Sequence, residues 1–212
     1  MAAGIVQPSD GLWVSPSMLV RKKDGSLWFC VDYCHLNDVT RKNSYLLPRI
    51  DALDSVAGST WFSALDLCSV YWQVPLSPSA RPMTTFTIGR GLWEFNIMPF
   101  WLCNSPARFE RLMEKVLQLV PTSACMVFLG NILVHGSTYT AALDNLRTVF
   151  KQITKANLRL NPAKCSLFCR QTIFLGHVVS DRGESPPTQQ KWRQWKSGHL
   201  QHQQEGCAVS WA

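Results

Sequence analysis

The sequence predicts an α+β fold, and three observations support it. Short apolar runs come in pairs around turn residues: Ser17–Arg21 and Leu27–Val31 around Asp24-Gly25, Thr84–Ile88 and Leu92–Phe95 around Gly89 and Gly91, and two more around Gly130-Asn131. Two longer stretches, one opening after Asn104-Ser105 and one over residues 140–155, repeat their apolar residues at helical spacing. Helices alternate with antiparallel strand pairs along the chain, which is the α+β order.

Residues 1–16, with Pro8, Gly11 and Pro16, read as an extended lead-in. Ser17–Arg21 and Leu27–Val31 then form a hairpin with the tip Lys22-Lys23-Asp24-Gly25-Ser26. So basic a tip is either a solvated turn or a finger that touches phosphate. Residues 37–60 are irregular, with one helical turn suggested by Leu53 and Val56 before Gly58. The apolar strand Trp61-Phe62-Ser63-Ala64-Leu65-Asp66-Leu67 holds a lone acid near its end. Tyr71-Trp72-Gln73-Val74-Pro75-Leu76 and the hairpin at Gly89 and Gly91 follow. In the first helix Asn104 or Ser105 can cap, Pro106 suits the first position, and Phe109, Leu112, Met113, Val116 and Leu117 form the stripe before Pro121 ends it. Residues 125–136 read as a buried hairpin in the middle of a sheet, turning at Gly130-Asn131 and too short to span a membrane. The second helix carries Leu143, Leu146, Val149, Phe150 and Ile153 on one face. Both stripes read as core. Strands at Leu158–Leu160 and Cys165–Phe168 bracket Asn161-Pro162, and Ile173–Val179 is the last strand. Past Asp181 the chain turns rich in glutamine and proline, so residues 184–212 are expected to be a loose tail.

With 212 residues, 46% of them hydrophobic, the chain can bury one large core or two small ones. Only 17% of residues are charged, yet the net charge is +7, which suits a polyanion such as nucleic acid, although many basic proteins bind nothing in particular. Cys30 and Cys34, and Cys165 and Cys169, stand four apart near His35 and His177. That spacing fits zinc weakly; buried reduced thiols are the plainer reading. Nothing resembles a secretory leader or a membrane helix, so an intracellular, reducing location, cytoplasmic or nuclear, is expected.

Nine segments stand in an informative order: Val20–Ser26, Cys30-Val31-Asp32-Tyr33, Leu36-Asn37, Leu65-Asp66-Leu67, Tyr71–Leu76, Met98-Pro99-Phe100, Leu102-Cys103-Asn104, Leu158–Cys165 and Phe174-Leu175-Gly176-His177. In their order and spacing, over about residues 4–183, the chain resembles the reverse transcriptases of gypsy-type long-terminal-repeat retrotransposons. The resemblance implies fingers and palm over residues 1–183: an antiparallel palm sheet with packed helices and partial β-rich fingers, in right-hand polymerase architecture without the thumb. It also implies RNA-directed DNA polymerisation on an RNA template and DNA primer with dNTP. In that chemistry two Mg²⁺ ions, ~3.5–4 Å apart, clamp the attacking and leaving oxygens.

Mg²⁺ takes hard oxygen ligands. The resemblance assigns one metal ligand to Asp66 and two to an aromatic-x-Asp-Asp motif, which here reads Phe128-Leu129-Gly130-Asn131. Gly130 offers no side chain, Asn131 offers only a neutral carbonyl, and no Asp or Glu occurs from Ala124 to Tyr139. Loss of polymerisation follows.

Other positions depart as well. Trp28 and Cys34 stand where the family has arginine, Cys68 and Val70 where it has arginine and glycine, and Trp101 where glycine follows Phe100. Retained are Lys22 or Lys23 at the finger tip, Tyr71 at the position that rejects a ribose 2′-hydroxyl, and Lys164 at that of the general acid for pyrophosphate. The catalytic positions are therefore Asp66, Gly130, Asn131 and Lys164, and the nucleotide positions Lys22, Lys23, Trp28, Tyr71, Phe100 and Trp101. The family continues past His177 into a thumb, ribonuclease H and integrase; Gln189–Trp195 is faintly similar, and from Ser197 the likeness stops. An inactive domain is the first expectation. A non-catalytic nucleic-acid-binding module and a translated relic with no selected role are the alternatives.

Overall fold

The computed structural model describes residues 4–21, 25, 27–45 and 56–185. Its helices are α1 (Cys34–Val39), α2 (Ser105–Leu117) and α3 (Tyr139–Lys155). Its strands are β1 (Val6–Pro8), β2 (Ser17–Arg21), β3 (Leu27–Val31), β4 (Trp61–Asp66), β5 (Phe86–Ile88), β6 (Gly91–Phe95), β7 (Cys125–Phe128), β8 (Asn131–Gly136), β9 (Ser166–Cys169), β10 (Gln171–Phe174), β11 (His177–Ser180) and β12 (Gly183–Ser185). The described residues fall into two compact units, 4–44 with 71–106, and 45, 56–70 and 107–185.

In the first unit β2 and β3 pair antiparallel from Ser17↔Val31 to Arg21↔Leu27. Lys22, Lys23, Asp24 and Ser26 lie outside the described residues. The expected lead-in proves to be more than extended chain, because Val6–Pro8 pairs with β6 in a sheet ordered β1-β6-β5. Pro8 is tolerated there because an edge strand can do without one N–H. Thr84, expected to begin a strand, instead closes the 3₁₀ turn Arg81–Thr84, and β5 starts at Phe86. Val31, Tyr33, Phe86 and Phe95 form the core, with Phe86 4.9 Å from Phe95 and 5.3 Å from Phe29 between ring centroids. The buried Tyr33 hydroxyl donates to the Thr84 carbonyl at 2.9 Å, so its polar end is satisfied.

The second unit is built on an antiparallel sheet ordered β7-β8-β4-β9. The expected hairpin is present but not central: β8 lies inside and is almost wholly buried, whereas β7 is a half-buried edge. Its turn is also one residue earlier than expected. Phe128 pairs with Asn131, which leaves Leu129-Gly130 as the loop, with φ of 45° and 93°. Two positive φ values are the mark of a type I′ turn, so the glycine serves as its second residue and Asn131 becomes the first residue of β8.

Thr138 caps α3 by accepting from the Ala141 N–H at 3.1 Å, and Ala142, Leu146, Val149 and Ile153 are buried. A Cβ at Gly136 would lie 2.6 Å from the Ala142 nitrogen, so glycine is what lets the first turn of α3 close on the end of β8. Val56, Phe62, Leu133, Phe174 and Val179 make a second core. The expected single strand over 173–179 is broken by a second positive-φ turn, Leu175-Gly176, into the hairpin β10–β11, with Phe174 opposite His177. Leu158–Leu160 contributes one bridge, Leu160 to Leu67, rather than a strand, and Pro162–Lys164 is a 3₁₀ turn.

Leu53 and residues from 186 onward lie outside the described residues. The thiols expected to be buried are not: Cys34 and Cys68 are exposed and the other five described cysteines half-buried. Cys165 and Cys169 donate to nearby backbone carbonyls, of Asn161 and Leu167, at 3.2 and 3.6 Å. Among the described residues no group of three or more His, Cys, Asp or Glu comes together, and no helix is long and apolar enough to cross a membrane.

Candidate active site

Asp66 ends β4, and its register partner across the sheet is Asn131. Three hydrogen bonds hold it there. Its carbonyl accepts from the Asn161 N–H at 2.8 Å, its own N–H points at Cys165 Sγ at 3.5 Å, and the next residue, Leu67, donates its N–H to the Gly130 carbonyl at 3.0 Å. The Asp66 side chain is 26% exposed, and Lys164 Nζ lies 3.8 Å from its Oδ1. Asp66, Gly130, Asn131 and Lys164 thus meet in the second unit, as their spacing along the chain alone could not guarantee.

Beneath the turn lies an acid that the sequence reading passed over. Glu110 of α2 is 1% exposed, and its carboxylate accepts the Leu129 N–H at 3.0 Å. Burial pushes its pKa above the ordinary carboxylate range; the Leu129 N–H opposes that rise and the neighbouring Glu114 adds to it. Its position was legible: residues 110, 113 and 117 share a helical face, and Met113 and Leu117 are buried. Val70 is the other neighbour of importance. It opens the 3₁₀ turn Val70–Gln73 and lies against Gly130.

Tyr71, Phe100 and Trp101 belong to the first unit. The Tyr71 and Phe100 rings meet edge to face at 5.3 Å. Trp101 has a φ of 77°, a left-handed backbone suited to glycine, and its side chain packs against the Val31–Tyr33–Phe86–Phe95 core. Asn37 clasps this loop with both ends of its amide, donating to the Trp101 carbonyl at 2.7 Å and accepting from the Cys103 N–H at 2.9 Å. Trp28 sits in β3 opposite Val20, its side chain outside the description.

An antiparallel sheet that sets a lone aspartate beside a tight hairpin, with helices packed on it, is the architecture of a partial polymerase fold. Residues 20–179 match the family described as reverse transcriptase (RNA-dependent DNA polymerase), and the chain belongs to that family. It is 34% identical over 189 residues to the retrovirus-related Pol polyprotein from transposon 412 of Drosophila melanogaster, covering 86% of this chain. To the transposon Tf2-7 polyprotein of Schizosaccharomyces pombe it is 32% identical over 199 residues, covering 92%. The chain spans 15% of the length of these curated relatives. In fold it is similar to the foamy viral protease-reverse transcriptase in complex with RNA/DNA hybrid, with a TM-score of 0.80 at 20% identity over 94% of this chain and 28% of that one. A second structure, the foamy viral protease-reverse transcriptase dRH in complex with double-stranded DNA, gives 0.76 at 21% identity, over 92% of this chain and 37% of that one.

The donor set does not fit a pair of Mg²⁺ ions. One carboxylate stands beside an ammonium group, faces a neutral amide and adjoins a residue with no side chain.

Proposed function

We propose that this chain is a degenerate copy of a gypsy-type reverse transcriptase domain, with fingers and palm over residues 1–183, that no longer polymerises DNA. The observation that carries this reading is the pairing of Asp66 with Asn131 next to Gly130, which leaves one carboxylate where the family's chemistry uses three. Each missing charge against a cation ~4 Å away removes roughly 4 kcal/mol even at an effective dielectric of 20. At about 1.4 kcal/mol per tenfold in rate, two such losses put polymerisation out of reach. Primer extension on an RNA template with Mg²⁺ or Mn²⁺ tests this, and no product is expected. Template-dependent extension that Asp66→Asn abolishes overturns the reading.

A second reading concerns binding without chemistry. It is supported by the +7 charge on a chain only 17% charged, and by similarity in fold to reverse transcriptase structures in complex with double-stranded DNA and RNA/DNA hybrid. On this reading the domain holds a nucleic-acid duplex through its basic surface, independently of sequence.

A further inference from the structure

We propose that Val70 has taken the place of the side chain missing at 130, so that carboxylates restored at 130 and 131 rebuild no divalent-cation site unless residue 70 is also cut back to glycine. The inference rests on the reading of positions 66, 130 and 131 as cation positions given above.

A Cβ placed on Gly130 would overlap Val70 Cγ1 deep inside van der Waals contact, and would stand 3.3 Å from Val70 Cβ and 3.8 Å from the Phe109 ring. One of the partners has to move. The turn is fixed from three directions: the Leu129 N–H is held by the Glu110 carboxylate, the Gly130 carbonyl by the Leu67 N–H, and Asn131 by its register opposite Asp66 and Phe128. The Phe109 ring, fully buried, already stands at van der Waals distance from that Cβ, which leaves the turn little room to shift. Val70 has little freedom either. Its branch point is the Cβ itself, so turning χ1 relocates the methyl groups but leaves the 3.3 Å contact in place. Its backbone follows directly on Ser69, already held at a φ of 44°. Side chains at 70 and 130 therefore compete for one volume. The φ of 93° at 130 adds a cost for any residue with a Cβ, though aspartate bears the left-handed region better than most.

The geometry also sets a graded expectation. Val70→Ala removes the methyl overlap and keeps the Cβ contact, whereas Val70→Gly clears both. The test uses the full chain as parent, as Asn131→Asp, as the double variant Gly130→Asp/Asn131→Asp, and as that double variant carrying Val70→Ala or Val70→Gly. Thermal melting by circular dichroism and Mn²⁺ binding by calorimetry are read for each. Asn131→Asp, which leaves Gly130 in place, should melt close to the parent. The double variant should melt lower and gain little Mn²⁺ affinity. The Val70→Gly triple variant should recover its melt and bind Mn²⁺ at least about tenfold tighter than the double, as clustered hard carboxylates around a cation would; the Val70→Ala triple should fall between. A double variant that already melts and binds like the Val70→Gly triple refutes the role of Val70. A triple variant that regains its melt yet binds no Mn²⁺ refutes the cation reading itself, and the proposal with it. Should the double fail to fold, a folded, Mn²⁺-binding triple supports the proposal, and a triple that fails as well overturns it.

Discussion

Glu110 and His135 show how single buried groups set the pH response of the second unit. His135 is 1% exposed, with Nδ1 2.8 Å from the Ser59 hydroxyl and Nε2 without a partner among the described residues, and burial lowers its pKa. The unfolded chain therefore takes up a proton there first, and stability falls as pH drops below about 6.5 toward the folded value. Glu110 acts at the other end of the range. Its folded pKa is raised, so its contribution is fully present below about 4.5 and is lost as pH rises through the folded value. Glu110→Gln keeps an acceptor for the Leu129 N–H and removes the buried charge. Compared at pH 4.5 and 7.5, the Gln variant should gain melting temperature on the parent as pH rises; a constant difference refutes the assignment, and His135 cancels because both proteins carry it. Glu110→Ala, which strands that N–H, should cost about 1–3 kcal/mol. Nothing in the hairpin's own sequence points to this acid, because it reaches the turn from α2, where its buried carboxylate accepts the Leu129 N–H rather than standing in for a missing ligand.

At the level of elements, α2, α3 and most strands were legible, because those two helices keep apolar stripes and most strand pairs are marked by turn residues; α1, six residues with none buried, carries no stripe and fell partly in a stretch expected to be irregular. Two of the errors share one cause. At Leu129-Gly130 and Leu175-Gly176 a leucine occupies a positive-φ position, with φ of 45° and 51°, where sequence rules look for Asn, Asp or Gly. A leucine there hides the turn, which shifted the first hairpin by one residue and fused the second into one strand. The mismatch has an energetic side. Leu129→Asn puts the preferred residue into the type I′ turn and should stabilise the chain by about 0.5–1 kcal/mol, a rise of a few degrees in melting temperature. An unchanged or lower melt would mean that packing of the half-buried Leu129 outweighs its backbone strain. Trp101 is a third case, the resemblance having marked the glycine position without showing that its backbone is left-handed.

For the whole molecule, charge was readable from composition and the division into two compact units was not, since each core draws on segments far apart in the chain. Residues 71–106 complete the unit begun by 4–44, and 107–185 complete the other. The net charge of +7 gives the prediction that belongs to this scale. An RNA–DNA duplex should bind weakly at low salt without sequence preference, and lose affinity by about 10³-fold or more between 50 and 200 mM salt if several phosphates are engaged. Fluorescence anisotropy checks this; a folded sample that ignores the duplex at 50 mM salt removes the binding reading.

The crowding of Gly130 by Val70 bears on the history of the chain as well as its chemistry. While valine stands at 70, a codon change that returns an acid to 130 meets a steric penalty before it meets any magnesium, and a return to glycine at 70 alone brings back no activity for selection to favour. On the proposed reading of a chain that has lost polymerisation, the contact works as a genetic ratchet: the descent can proceed by separate substitutions, whereas the way back demands several together.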